Sequence, residues 1–209
     1  LNNLRAAADR VRPDKVVVMP AGLSPFKQHT SAPGALRLEM CRCFAALAQE
    51  PGMPPLEVSG WEVAQAAAGS RNYTVLTLEM LARENPSAVL YLAIGSDMLL
   101  SFEGWHRWQD ILRLAHLVVT SRHVGDDPEL HAKALRLDPT GARILFAPVQ
   151  ALPMASSDIR TRLTAGEGCE AELPEAVRAV IRREKLYKKE VSANEPQTGK
   201  GACARPLER

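Results

Sequence analysis

The run AVLYLAIGSD, Ala88 to Asp97, decides the fold. Its first seven residues are continuously apolar, which fits a parallel strand covered on both faces at the centre of a sheet. Gly95, Ser96 and Asp97 then fall at the carboxyl end of that strand, where open α/β sheets place their ligands. Working outward, Trp108 to Leu114 has helical spacing, and HLVVT (His116 to Thr120) and ILFA (Ile144 to Ala147) read as further strands. Upstream, Tyr73 to Arg83 is helical through Val75, Leu78, Leu81 and Ala82, Leu56 to Val58 is a short strand, and Ala35 to Gln49 is helical. KVVVM (Lys15 to Met19) is a β-branched run stopped by Pro20 and Gly22. Strand and helix alternate along the chain, the pattern of an α/β, doubly wound parallel sheet.

Pro174 to Glu184 reads as a closing helix with proline near its start. Residues 1–187 are expected to form one domain, and 188–209 a polar, unpatterned tail without fixed structure. The opening LNNLRAAADRV reads as the middle of a helix already under way, so a preceding segment is expected.

Composition narrows the function classes. A length of 209 residues, 46% hydrophobic and 24% charged, is that of one ordinary globular domain. A formal charge of +2 gives no electrostatic case for nucleic acid or an anionic membrane, although a small anionic ligand fits. Cys41, Cys43, Cys169 and Cys203 have neither zinc-site spacing nor the density of a disulfide scaffold, which fits a reducing cytoplasm. No apolar run approaches the ~20 residues of a membrane span.

Several positions can carry chemistry. Gly95 permits close backbone approach and Asp97 can accept from ribose hydroxyls; the competing reading is a turn with Asp97 capping the next helix. Ser156, Ser157 and Asp158 follow Pro153 as a helix start, any of them a candidate N-cap. Arg160, tilted back toward that N-terminus, can reach the anion that the free N–H groups bind, so hydroxyls, backbone donors and a guanidinium would converge on a triphosphate. Trp105 offers a stacking face for a planar heteroaromatic ring or a core contact, and His106 is equally readable as solvated. Lys27, in PAGLSPFK, is a mobile cation able to reach phosphate or a surface lysine, and Arg122 beyond Thr120 has the same two readings. Thr74 can cap its helix beside N–H groups open to a carboxylate or amide. No histidine pairs with Ser or Cys at a hydrolytic spacing.

In their order, PAGLSPFKQ, NYTVLTLEML, the GSD block with WHRW, AHLVVTSR, ASSDIRTRL and LPEAVRAVIRREKLY resemble the bacterial nicotinate-nucleotide adenylyltransferases, from Leu1 to about Tyr187. The resemblance implies a Rossmann-like nucleotidyltransferase fold and transfer of an adenylyl group from ATP, with Mg²⁺, to nicotinate mononucleotide, releasing pyrophosphate. It implies that Ser156, Ser157 and Arg160 hold ATP phosphates, that Lys27 and Arg160 act on the reacting phosphates, and that Gly95, Asp97 and Arg122 contact the nucleotide. It assigns Thr74, Trp105 and His106 to the nicotinate pocket, and no protein-held metal. The attacking phosphate is already anionic, so positioning and electrostatics would carry catalysis without a general base. ATP and nicotinate mononucleotide are the expected partners, with assembly into a homo-oligomer left open.

Two departures stand out. His123-Val124-Gly125 replaces the family's Pro-Gly after the arginine. The family's first strand, with Gly-Gly-x-Phe and His-x-Gly-His, is absent, and Leu1 matches the residue that follows it. The expectation is therefore a sheet missing its first strand and weak or no activity from this polypeptide by itself, since losing one preorganised donor costs ~10²–10³ in rate. The alternatives are an adenylyltransferase for nicotinamide mononucleotide or phosphopantetheine, or a nucleotide-binding remnant without chemistry.

Overall fold

The computed structural model describes residues 2–22, 32–47, 52–121, 128–149 and 156–187. The order is α1 (Asn2–Val11), β1 (Val16–Val18), α2 (Gly34–Leu47), β2 (Leu56–Val58), α3 (Trp61–Ala67), α4 (Thr74–Glu84), β3 (Leu90–Gly95), α5 (Ser96–Leu100), a 3₁₀ turn (Phe102–Gly104), α6 (Trp108–Leu114), β4 (Ala115–Ser121), α7 (Pro128–Leu137), β5 (Ile144–Pro148), α8 (Ser156–Thr164) and α9 (Glu175–Arg183). All strand pairings are parallel: β1 with β2, and β3 with β4 with β5. Among the described residues the two sheets are not joined by a ladder, so β1 and β3 each have one unpaired edge.

The core follows from the period of two along β4, the middle strand of its sheet. Leu117 and Val119 are fully buried against Val75 and Leu78 of α4, Ile111 of α6, and Leu130, Ala134 and Leu137 of α7. Val118, on the opposite face, packs with Ala7 of α1 and Ala147 of β5. Burying each such side chain contributes roughly 1.5–3 kcal/mol relative to leaving it in water. Thr120, buried on the same strand, satisfies its hydroxyl on the Ile94 carbonyl at 3.1 Å.

The doubly wound parallel fold is as expected, with one correction. The strand covered on both faces is β4 rather than β3. On β3, Ile94 is buried and Leu90 and Leu92 pack on the core, whereas Tyr91 is 41% exposed and Val89, just before the strand, 64%. The physical reason is the placement of α1, which lies over β4 and β5. A continuous apolar run states that a strand can be covered, and the neighbouring elements decide where it is.

Candidate active site

Gly95 closes β3 with an extended backbone (φ −81°, ψ 164°) and stands as the N-cap of α5 without a side-chain cap bond. Asp97 therefore lies inside the first turn of α5, correcting its reading as a cap. Its carboxylate folds back: a Cβ on Gly95 would sit 2.6 Å from Asp97 Oδ1. The glycine thus leaves room for an exposed carboxylate at the strand end, available to polar groups of a ligand.

The second group is assembled from segments about thirty residues apart. Helix α4 begins at Thr74, so Tyr73, not Thr74, is its N-cap, with extended backbone (φ −110°, ψ 134°) and no side-chain cap bond. The amides of Leu76 and Thr77 donate to the Tyr73 carbonyl. Among the described residues, no acceptor meets the N–H groups of Thr74 and Val75, which is the condition under which a helix N-terminus receives an anion. His106 lies against this end, its ring 4.5 Å from that of Tyr73 at 42°. Trp105 is half-buried on the core, its ring 5.3 Å from Phe102, which is itself fully buried. Through His106, the turn that carries Trp105 meets the helix end with the open backbone donors.

Arg107 holds this turn, a role sequence spacing did not single out. Its backbone is left-handed (φ 54°, ψ 45°), unfavourable for a side-chain-bearing residue by roughly 1–2 kcal/mol. Its guanidinium reaches Glu79 of α4 at 2.8 Å and Asp110 of α6 at 2.6 Å. The cation thereby ties the His106 turn to the helix whose N-terminus faces it.

The third group lies on α8, which starts at Ser156, so Ser156, Ser157 and Asp158 form its first turn rather than its cap. Ser157 and Arg160 line a surface concavity of about 500 Å³ with Thr161, Thr164 and Ala165. Among the described residues Arg160 has no ion-pair partner, whereas Arg162, two positions on, is bound to Glu167 at 2.5 Å and Glu172 at 2.7 Å. The Arg162 guanidinium in turn holds the Glu172 carboxyl below its usual range. Ser157 and Arg160 make no hydrogen bond to the other two groups among the described residues.

Lys27 and Arg122 lie outside the described residues. The residues flanking the segment that carries Lys27 are described, and Arg37 joins them. Its side chain donates to the carbonyl oxygens of Ala21 and Gly22 on one side and to that of Ala32, at 3.2 Å, on the other. Glu62 adds a second tie, accepting from the Gly22 amide at 3.2 Å and from the Thr77 hydroxyl on α4 at 2.7 Å. Among the described residues, no helix is long and apolar enough to cross a membrane.

A parallel α/β sheet with a glycine and carboxylate at a strand end and serines opening a late helix is the layout of a Rossmann-like nucleotidyltransferase. The cytidylyltransferase-like family model matches residues 1–162. A curated protein of Acidithiobacillus ferrooxidans, named "Probable nicotinate-nucleotide adenylyltransferase", is 37% identical over 187 residues, covering 83% of this chain and 82% of that protein. Another of the same name, from Chloroherpeton thalassium, is 34% identical over 178 residues, covering 85% and 84%. The solved structure of Plasmodium falciparum nicotinic acid mononucleotide adenylyltransferase complexed with NaAD is similar in fold, with a TM-score of 0.66 at 13% identity over 88% of each chain. The chain belongs to the nicotinate-nucleotide adenylyltransferase family.

Proposed function

We propose that this protein transfers the adenylyl group of ATP to nicotinate mononucleotide, forming nicotinate adenine dinucleotide and pyrophosphate. The observation that carries the substrate is the meeting of the uncapped α4 N-terminus with the Trp105–His106 turn. A pyridine ring stacks on Trp105, and its carboxylate takes the Thr74 and Val75 amides, with His106 at the rim. Gly95 and Asp97 at the β3 end receive the nucleotide, Ser156, Ser157 and Arg160 its phosphates, and Lys27 and Arg122 complete the charge around it. In the transfer, a phosphate oxygen of the mononucleotide bonds to the α-phosphorus of ATP as the bond to the bridging oxygen breaks and pyrophosphate leaves. Both reacting groups are anionic, so the contribution of the protein is alignment and cationic stabilisation. Magnesium enters as part of the MgATP substrate. The free thiols of Cys41, Cys43 and Cys169 support a reducing cytoplasm as the setting.

The test supplies MgATP with nicotinate mononucleotide, nicotinamide mononucleotide or phosphopantetheine to the 209-residue chain and to a version preceded by the family's Gly-Gly-x-Phe and His-x-Gly-His strand. Nicotinate adenine dinucleotide and pyrophosphate in equal amounts from either version support the reading. Preferred use of another acceptor overturns the substrate, and binding without transfer in both versions overturns the reaction.

A further inference from the structure

Helix α7 buries Leu130, Lys133, Ala134 and Leu137, the i, i+3, i+4, i+7 stripe of a core-facing helix. A lysine therefore occupies a position where the pattern calls for an apolar residue, and it is only 5% exposed. Its Nζ meets Glu103 Oε2 at 2.6 Å. The burden of this pair is one-sided, because the Glu103 side chain is 53% exposed and well solvated without help, whereas the lysine has left water. Arg136, the next turn of α7, adds a second positive charge toward Glu103, whose carboxyl is held below its usual range chiefly by the Lys133 hydrogen bond.

Glu103 is the middle residue of the 3₁₀ turn Phe102–Gly104, and Trp105 follows directly, its amide donating to the Phe102 carbonyl at 3.0 Å. Phe102 is anchored in the core and the Trp105 ring lies over it, tilted 44°. Two points thus fix the turn that aims the indole: a buried phenyl on one side and the charged tie to α7 on the other. We propose that Lys133 is a positioning residue for the ring-binding face, its ion pair with Glu103 holding the 3₁₀ turn so that the Trp105 indole stays oriented for a planar substrate ring. This rests on the assignment of Trp105 to the pyridine of nicotinate mononucleotide.

The pair is tested with Lys133→Met and Glu103→Gln by calorimetric titration of nicotinate mononucleotide and, separately, MgATP, alongside thermal unfolding. Lys133→Met replaces the buried cation by an apolar chain of similar length and leaves Glu103 to water, so a purely structural role predicts no loss of stability and unchanged binding. The positioning role predicts a Kd for the mononucleotide raised at least about fivefold with that for MgATP within about twofold, the difference of a few-fold corresponding to a ring contact loosened rather than lost. Glu103→Gln should shift the mononucleotide Kd in the same direction and also lower Tm, because the lysine is left without its counter-charge. Unchanged mononucleotide affinity in a folded Lys133→Met overturns the proposal. If the unmodified protein binds MgATP but not nicotinate mononucleotide, the pocket assignment falls instead.

Discussion

A Cβ built on Gly22 would lie 2.0 Å from Asn72 Oδ1 and 2.2 Å from the Glu62 carbonyl oxygen. The second contact is with backbone, which cannot swing aside as a side-chain tip can, so glycine is required here by space. Gly22→Ala should therefore destabilise by about 1–3 kcal/mol, the usual cost of forced overpacking, read as a lower urea midpoint. At Trp105 the consequence falls on ligand affinity. Truncation to Ala removes a stacking face worth up to roughly 1.5 kcal/mol beyond area alone, so nicotinate mononucleotide should bind about tenfold more weakly while MgATP is unaffected. A variant with unchanged mononucleotide affinity would place the ring elsewhere. Arg160→Ala should do the reverse, weakening MgATP about tenfold or more through loss of a charge-assisted phosphate contact.

At the scale of elements, the turn from α7 into β5 depends on Asp138. One carboxylate oxygen accepts from the Thr140 amide at 3.1 Å and the Thr140 hydroxyl at 2.5 Å, and the other from the Arg143 amide at 2.6 Å. Burial pushes this carboxyl up, and the hydrogen bonds together pull it below the usual carboxylate range. A depressed folded value means the contribution is complete above the unfolded pKa of about 4 and is lost as pH falls through the folded one. The thermal midpoint should thus be flat near neutrality and fall below about pH 4, and Asp138→Ala should cost about 1–3 kcal/mol at pH 7 while flattening that fall. An equal acid slope in both proteins would assign the effect to other carboxylates. Much at this scale was legible in the chain: Trp108–Leu114 and Leu56–Val58 end where their periodicity ends, and the GSD block falls at a strand end. Helix α7 was not legible, because a buried lysine interrupts the stripe that would announce it and the charge compensating that lysine is thirty residues away. The Tyr73–His106 contact was hidden for the same reason, since spacing within one segment cannot say which other segment it will meet.

For the molecule as a whole, burial is unevenly divided. Strands β1 and β2, and helices α2 and α3, have no buried side chain among those described, whereas β4 is buried at every described position from Leu117 to Thr120. The β1–β2 ladder is three residues long and unpaired on both outer edges among the described residues. Glu62 of α3 bonds Thr77 of α4, and α2 packs on α9, which buries Val177, Val180 and Ile181 and pairs Arg183 with Glu39 of α2 at 2.8 Å. Exposed pairs of the last kind contribute only about 0–1 kcal/mol. Local opening should therefore start in this half, with the amides of Val16–Val18 and Leu56–Val58 exchanging with deuterium well before those of Leu117–Thr120, whose opening approaches global unfolding. The division matters for the proposed reaction, because the proposed pyridine pocket and the β3 end stand on the half with the buried core, while Lys27 comes after β1 in the sequence. MgATP should raise protection around β1 if that lysine engages its phosphates, and nicotinate mononucleotide alone should not. Equal protection of the two halves, or a response of β1 to the mononucleotide alone, would contradict this division.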